Sequence, residues 1–149
     1  MFENESDPFD IERIRAYFHD DRFATGACGA VVDEVGDGYA VCSCDIDSRL
    51  FNAQGHVMGG ALFTLADFAL AVASNAGCPD SVSVSSNIDF YTVARGKKLI
   101  ARAEADRSGR RLGFYSVLIS DELGTRVARM QAVCARVASP GAKPGQSAH

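Results

Sequence analysis

From Gly59 to Ala73 the chain carries a single ionisable side chain, Asp67, set among Leu62, Phe63, Leu65, Phe68, Leu70 and Val72. No proline interrupts the run, which ends near Asn75-Ala76-Gly77. At about 16 residues it is too long for one strand, and its apolar side chains fall on nearly every helical face. A helix of that kind is buried all round, so the rest of the fold must form a shell about it. An isolated carboxylate inside such a helix is costly unless something pairs with it or uses it. The glycine pair Gly59-Gly60 at the helix start bares backbone N–H groups that suit a developing negative charge. Acid and glycines together mark a candidate active site.

The flanking segments supply the shell. Phe9, Ile11, Ile14, Tyr17 and Phe18 recur at near-helical spacing, with Asp7 as the expected N-cap and Pro8 at the first helical position. Two β-type runs follow, joined around Gly36-Asp37-Gly38, which reads as a hairpin. After Pro79-Asp80 come VSVSSNIDFYTV, then KLIARAEADRS with Leu99, Ala101, Ala103 and Ala105 on one side, then RLGFYSVLISD and TRVARMQAVCARV. Turns at Ser108-Gly109-Arg110 and from Asp121 to Gly124 make these sequential antiparallel strands, a four-strand meander. The expected class is α+β, an antiparallel sheet wrapped around one long central helix. The 149 residues suit a single domain over 1–137, with a Pro-, Gly- and Ser-rich tail over 138–149 expected to be disordered.

Composition removes several function classes. A formal net charge of −4 argues against a general nucleic-acid binder, which carries a basic surface. No uninterrupted apolar stretch reaches the roughly 18 residues needed to span a bilayer. The opening MFENESDPFD is acidic and has no apolar segment, so a cytoplasmic location is the expectation. The five cysteines (Cys28, Cys42, Cys44, Cys78 and Cys134) contain no C-x-x-C pair, so no metal site is expected and buried free thiols are.

The element order, with the Asn-x-x-Gly-x-Val-x-Gly-Gly spacing from Asn52 to Gly60 and Leu-Ala-Asp at 65–67, resembles the hotdog-fold thioesterases of the phenylacetate-degradation (PaaI) type. The resemblance runs over roughly residues 10 to 137, including NIDFYTVARGKKLIARAEADRSGRRLGFY. It implies hydrolysis of acyl-coenzyme A thioesters, with coenzyme A as part of the substrate and no separate cofactor. It also implies assembly as homodimers or dimers of dimers, hence a homotetramer. Carried over by position, Asn52 matches a loop residue that orients the thioester or the water. Gly59 matches the helix-start glycine whose N–H polarises the carbonyl, and Asp67 matches the acid that serves as nucleophile or general base. One position departs: the family's His-Gly-Gly is here Met58-Gly59-Gly60, with His56 two residues earlier. Methionine can neither donate a hydrogen bond nor exchange protons, so the histidine's orienting role is lost or moved to His56.

Geometry adds a constraint of its own. Gly59 and Asp67 are eight residues apart, about 12 Å along a helix axis. A reacting carbonyl must lie near 3 Å from both donor and acid, which one helix cannot satisfy. Two antiparallel copies can, and that predicts active sites shared across a dimer. Thr64, one turn from Asp67, bonds either the acid or its own helix backbone. Arg110 and Arg111, or the second cluster Arg95, Lys97 and Lys98, are candidates for coenzyme A phosphates or are simply solvated. Phe63, Phe68, Phe90 and Tyr91 either line an acyl pocket or belong to the core. Dehydratase chemistry needs a histidine on the helix, where none occurs. The alternatives to a hydrolase are a non-catalytic acyl-CoA binder, an inactive paralogue and a purely structural oligomer.

Overall fold

The structure is a computed structural model that describes residues 6–77 and 80–137. The expected tail over 138–149, and Cys78, lie outside the described residues. Helix α1 spans Ile11–Phe18, and the strands are β1 (Val31–Gly36) and β2 (Tyr39–Asp45). Helix α2 follows over Gly59–Asn75, then β3 (Ser81–Phe90), β4 (Lys98–Ser108), β5 (Leu112–Asp121) and β6 (Arg126–Arg136). All six strands join one antiparallel sheet in the order β1-β2-β4-β5-β6-β3. The sheet wraps α2, which lies chiefly against β2 and β4. This is the hotdog arrangement expected from the sequence.

Small side chains allow the helix to settle closely on the sheet. Ala101 and Ala103 of β4, with Ala40 and Cys42 of β2, meet the helix at positions from which water is fully excluded. Leu65, Ala66, Ala69 and Val72 fill the helix side of that contact. The β1–β2 hairpin closes through Asp37-Gly38, where Gly38 has φ +64 and a Cβ would meet that of Ala105 at 2.9 Å. Only glycine fits there.

Three expectations are corrected. Helix α1 is capped by Asp10, whose carboxylate accepts the N–H groups of Glu12 and Arg13. Asp7 instead accepts from the N–H of Phe9, two residues on, so Pro8 sits in a turn ahead of the helix. The meander has three strands, β4-β5-β6, while β3 pairs with β6 at the far edge. Residues 91–97 are too long for a tight hairpin; they cross the ends of β6 and β5, spanning three strand spacings, about 14 Å. Finally, α2 is not buried all round. Gly60 and Asp67 are exposed and Thr64, Ala71 and Asn75 half-buried, forming one open stripe at i, i+4 and i+7 spacing. A single sheet covers only one side of a helix.

The two sheet edges differ. At β1, Arg15 of α1 donates from Nε to the Val32 carbonyl at 2.9 Å. At β3, no described strand pairs with the outer edge, and Val82, Val84 and Phe90 are 48%, 58% and 54% exposed. No helix among the described residues is long and apolar enough to cross a membrane.

Candidate active site

The start of α2 is held from its N-terminal side. Asn52 accepts the N–H groups of Gln54 and His56 at Oδ1 (3.0 and 3.1 Å) and donates its own N–H to the His56 carbonyl at 2.7 Å. This closed loop leads to Met58, whose N–H donates to the Leu50 carbonyl at 2.8 Å. Met58 is the N-cap, with extended backbone and no side-chain capping bond. The N–H groups of Ala61 and Leu62 turn back to the Met58 carbonyl, whereas those of Gly59 and Gly60 reach no other described residue. Two donors at the positive end of a 17-residue helix are therefore unspent.

A cleft of about 280 Å³ opens in front of Gly59, lined by Leu62, Phe90, Tyr91, Thr92, Val93 and Ala94. A Cβ at Gly59 would lie 3.0 Å from Phe90 Cζ, so the ring lies closely over the bare backbone. Phe90 and Tyr91 thus line this cleft. Phe68 is core, edge-on to Phe18 at 6.1 Å, and Phe63 is half-buried against the core. Met58 is 46% exposed, with its methyl 3.3 Å from where a Cβ on Gly60 would be, and the His56 side chain is exposed.

Asp67 stands two turns along the open stripe and makes no hydrogen bond to a described residue. It borders a second cleft of about 260 Å³, between α2 and the start of β3, with Asn75, Ser81 and Ser83 on its walls. Partial burial pushes its carboxyl up from the ordinary aspartate value, and the nearby charge of Asp21 adds to the rise. Thr64 donates to the Gly60 carbonyl at 2.8 Å rather than to the acid. Within one chain the two clefts are separate, as the helical rise requires.

The basic candidates lie at opposite ends. Arg110 and Arg111 are exposed in the β4–β5 turn, beside the end of β6, where the Arg111 carbonyl accepts the Arg136 N–H. Arg95 and Lys97 lie on the 91–97 crossing that walls the Gly59 cleft. Among the described residues no three His, Cys, Asp or Glu side chains converge as metal ligands.

Sequence reasoning missed Asp121 and Glu122. Asp121 is 2% exposed and accepts N–H groups from Arg95, Gly96, Leu123 and Thr125 (2.8–3.1 Å). Burial alone would raise its carboxyl, but these donors outweigh it and hold the group down at about 2. Glu122 accepts the N–H groups of Lys97 and Lys98 at 2.6 and 2.8 Å. A signal existed: alternation along β5 puts Asp121 on the face of Tyr115, Val117 and Ile119, an acid at a core position.

Residues 54–128 match the family model described as Thioesterase superfamily. The acyl-coenzyme A thioesterase PaaI of Escherichia coli (strain K12) is 29% identical over 118 residues, 78% of this chain and 84% of that protein. The solved structure of a mutant of the phenylacetic acid degradation protein PaaI from Thermus thermophilus superposes with a TM-score of 0.71. It is 30% identical and covers 76% of this chain and 97% of its own. The E. coli PaaI structure superposes with a TM-score of 0.77 at 24% identity, covering 86% and 94%, a likeness of fold.

Proposed function

Because this chain belongs to the thioesterase superfamily, we propose that it hydrolyses acyl-coenzyme A thioesters to the free acid and coenzyme A, as the E. coli relative's name describes for that protein. One observation carries the reading: an amide donor at Gly59 and a carboxylate at Asp67, neither bonded to a described residue, share one helix but open into separate clefts about 12 Å apart along its axis. The Gly59 N–H of one protomer polarises the thioester carbonyl, and Gly60 leaves the backbone open to it. Asp67 of the partner attacks the carbonyl carbon itself or takes a proton from the water that does. The tetrahedral oxyanion rests on the helix N-terminus, then collapses, breaking the C–S bond and releasing the thiolate. Where water has attacked, the free acid forms at once; where Asp67 has attacked, an acyl–aspartate anhydride is left, and water hydrolyses it to the free acid and restores the carboxylate. A thiolate leaves without a strong general acid, which suits so sparse a site.

In this reading the Asn52 side-chain NH2 group, whose partner oxygen is held by the loop, and His56 help to orient the acyl group, Met58 and Thr64 bound it, and Arg110 and Arg111 meet the coenzyme A phosphates. Coenzyme A is substrate, and no separate cofactor is called for. The open β3 edge and the α2 stripe supply the dimer contact, since an unpaired strand edge with exposed valines favours pairing with a second copy. Two such dimers joined through the outer sheet face make a tetramer. The compartment that supplies acyl-coenzyme A fits a cytoplasmic enzyme.

The test is thiol release from short, long and aromatic acyl-coenzyme A esters, with wild type beside Asp67→Ala. Wild-type turnover that falls by roughly 10²–10³ in the variant supports the reading. Turnover that survives removes Asp67 from the chemistry. Acyl-coenzyme A binding by the wild type without turnover identifies a non-catalytic binder instead.

A further inference from the structure

The wall of the Gly59 cleft is hung between two anchors. At one end the N–H groups of Tyr91 and Thr92 both donate to the Val127 carbonyl, at 2.8 and 3.3 Å. At the other end four successive backbone N–H groups, from Arg95 to Lys98, are taken by two neighbouring carboxylates. Asp121 receives the first two and Glu122 the second two. Between the anchors, the N–H groups of Val93 and Ala94 reach no other described residue, yet both residues line the cleft. The span 93–94 has no backbone N–H bond of its own to a described residue; apart from Ala94, half-buried against the core, its position is set by what holds its ends.

We propose that Asp121 and Glu122 are positioning residues. By gripping the 95–98 backbone they set Tyr91 to Ala94 as a rigid wall against the Gly59 amide, so that a bound thioester presents its carbonyl to that donor. The inference rests on the hydrolase reading for its kinetic consequence and on geometry alone for its structural one. The contact is specific to glycine at position 96. A Cβ there would occupy the place of the Glu122 carboxylate, so backbone and acid are fitted to each other. Charge matters as well as shape. An ionised carboxylate offers two oxygens that only accept, whereas an amide brings an NH2 group against one of the N–H donors. The reacting carbonyl tolerates little error, since a displacement of about 1 Å can cost on the order of 10²-fold in rate.

Asp121 reaches into the core, so the exposed Glu122 carries the test. Three variants, Glu122→Gln, Gly96→Ala and the two combined, are compared with wild type by thiol release, by thermal unfolding and by amide hydrogen exchange. The expected result for Glu122→Gln is a loss in kcat of about tenfold with a smaller change in KM, from misplacement of the wall. Exchange should quicken over residues 95–98 while the rest of strand β4, strand β5 and the unfolding midpoint stay near wild type. Gly96→Ala, which displaces the same carboxylate, should reproduce the loss, and the double variant should be no worse than either single one. Wild-type kcat with unchanged exchange in Glu122→Gln overturns the proposal. So does a loss that follows a lowered unfolding midpoint with exchange quickened throughout the sheet. If wild type itself releases no thiol, the hydrolase reading fails. The clamp is then decided by exchange at 95–98, where faster exchange in Glu122→Gln upholds it and unchanged exchange ends it.

Discussion

Two aspartates of this chain meet opposite environments, and their roles follow from that. Asp121 is enclosed by N–H donors that favour its ionised form, so its folded-state value, about 2, lies below the unfolded one. Its stabilisation is present above the unfolded value and lost as pH falls through the folded one. Asp67 has no such donors among the described residues; partial burial and Asp21 disfavour its charge and push its value up. For an acid whose folded value is raised, folding carries no penalty below the unfolded value and a growing one as pH climbs through the folded value. Asp67→Asn is therefore expected to raise the unfolding midpoint at neutral pH while abolishing turnover, with the stability gain vanishing in acid. If Asp67 is the catalytic carboxylate proposed above, it also sets the acid limb of kcat/KM, which should fall at a pH above the ordinary aspartate range. Removing the neighbouring charge in Asp21→Asn should move that limb to lower pH. A limb unmoved by the change at Asp21 would mean that another group titrates.

Among the helices and strands, the N-terminus of α2 is the feature most open to a clean experiment. Gly59 occupies the first helical position, where proline is tolerated, and Met58 has the extended backbone (φ −72, ψ 151) that a following proline demands. Gly59→Ala and Gly59→Pro both bring a Cβ to 3.0 Å from the Phe90 ring. Only the second removes the N–H. The rate ratio between them isolates the donor, and Gly59→Pro should be slower than Gly59→Ala by roughly 10²-fold in kcat. Equal rates would transfer the polarising role to another group. The helix itself was legible because a 17-residue run with one charge has few other ways to fold. Its open stripe was not, since Gly60, Thr64 and Ala71 are small enough to pass for core. The cap of α1 was misread because Phe9 fits the apolar spacing and Pro8 suits a first helical position, which points to Asp7, whereas the helix starts after Asp10. The pairing of β3 with β6, and the grip of Asp121 on Arg95 across 26 positions, depend on the path of a crossing that carries no turn signature.

On the proposed reading a single chain is an incomplete catalyst: its donor and its acid open into different clefts, and no described strand covers its β3 edge. A two-fold dimer completes both sites at once, because an isologous contact that brings Gly59 to the partner's acid also brings Asp67 to the partner's amide. That symmetry makes a quantitative demand. Suppose inactive Gly59→Pro and inactive Asp67→Asn chains are unfolded together in equal amounts and refolded. Half of the dimers then carry one chain of each kind. In such a dimer, one site draws its Gly59 and Asp67 from the two intact halves, and the other combines both lesions. The mixture should recover about a quarter of the wild-type thiol-release rate, whereas each parent refolded alone should stay roughly 10²-fold or more below wild type. If each chain held a complete site, every site in the mixture would carry a lesion and the rate would stay at that of the parents. The recovered fraction thus reports whether donor and acid meet across the interface, independently of which acyl group the cleft accepts.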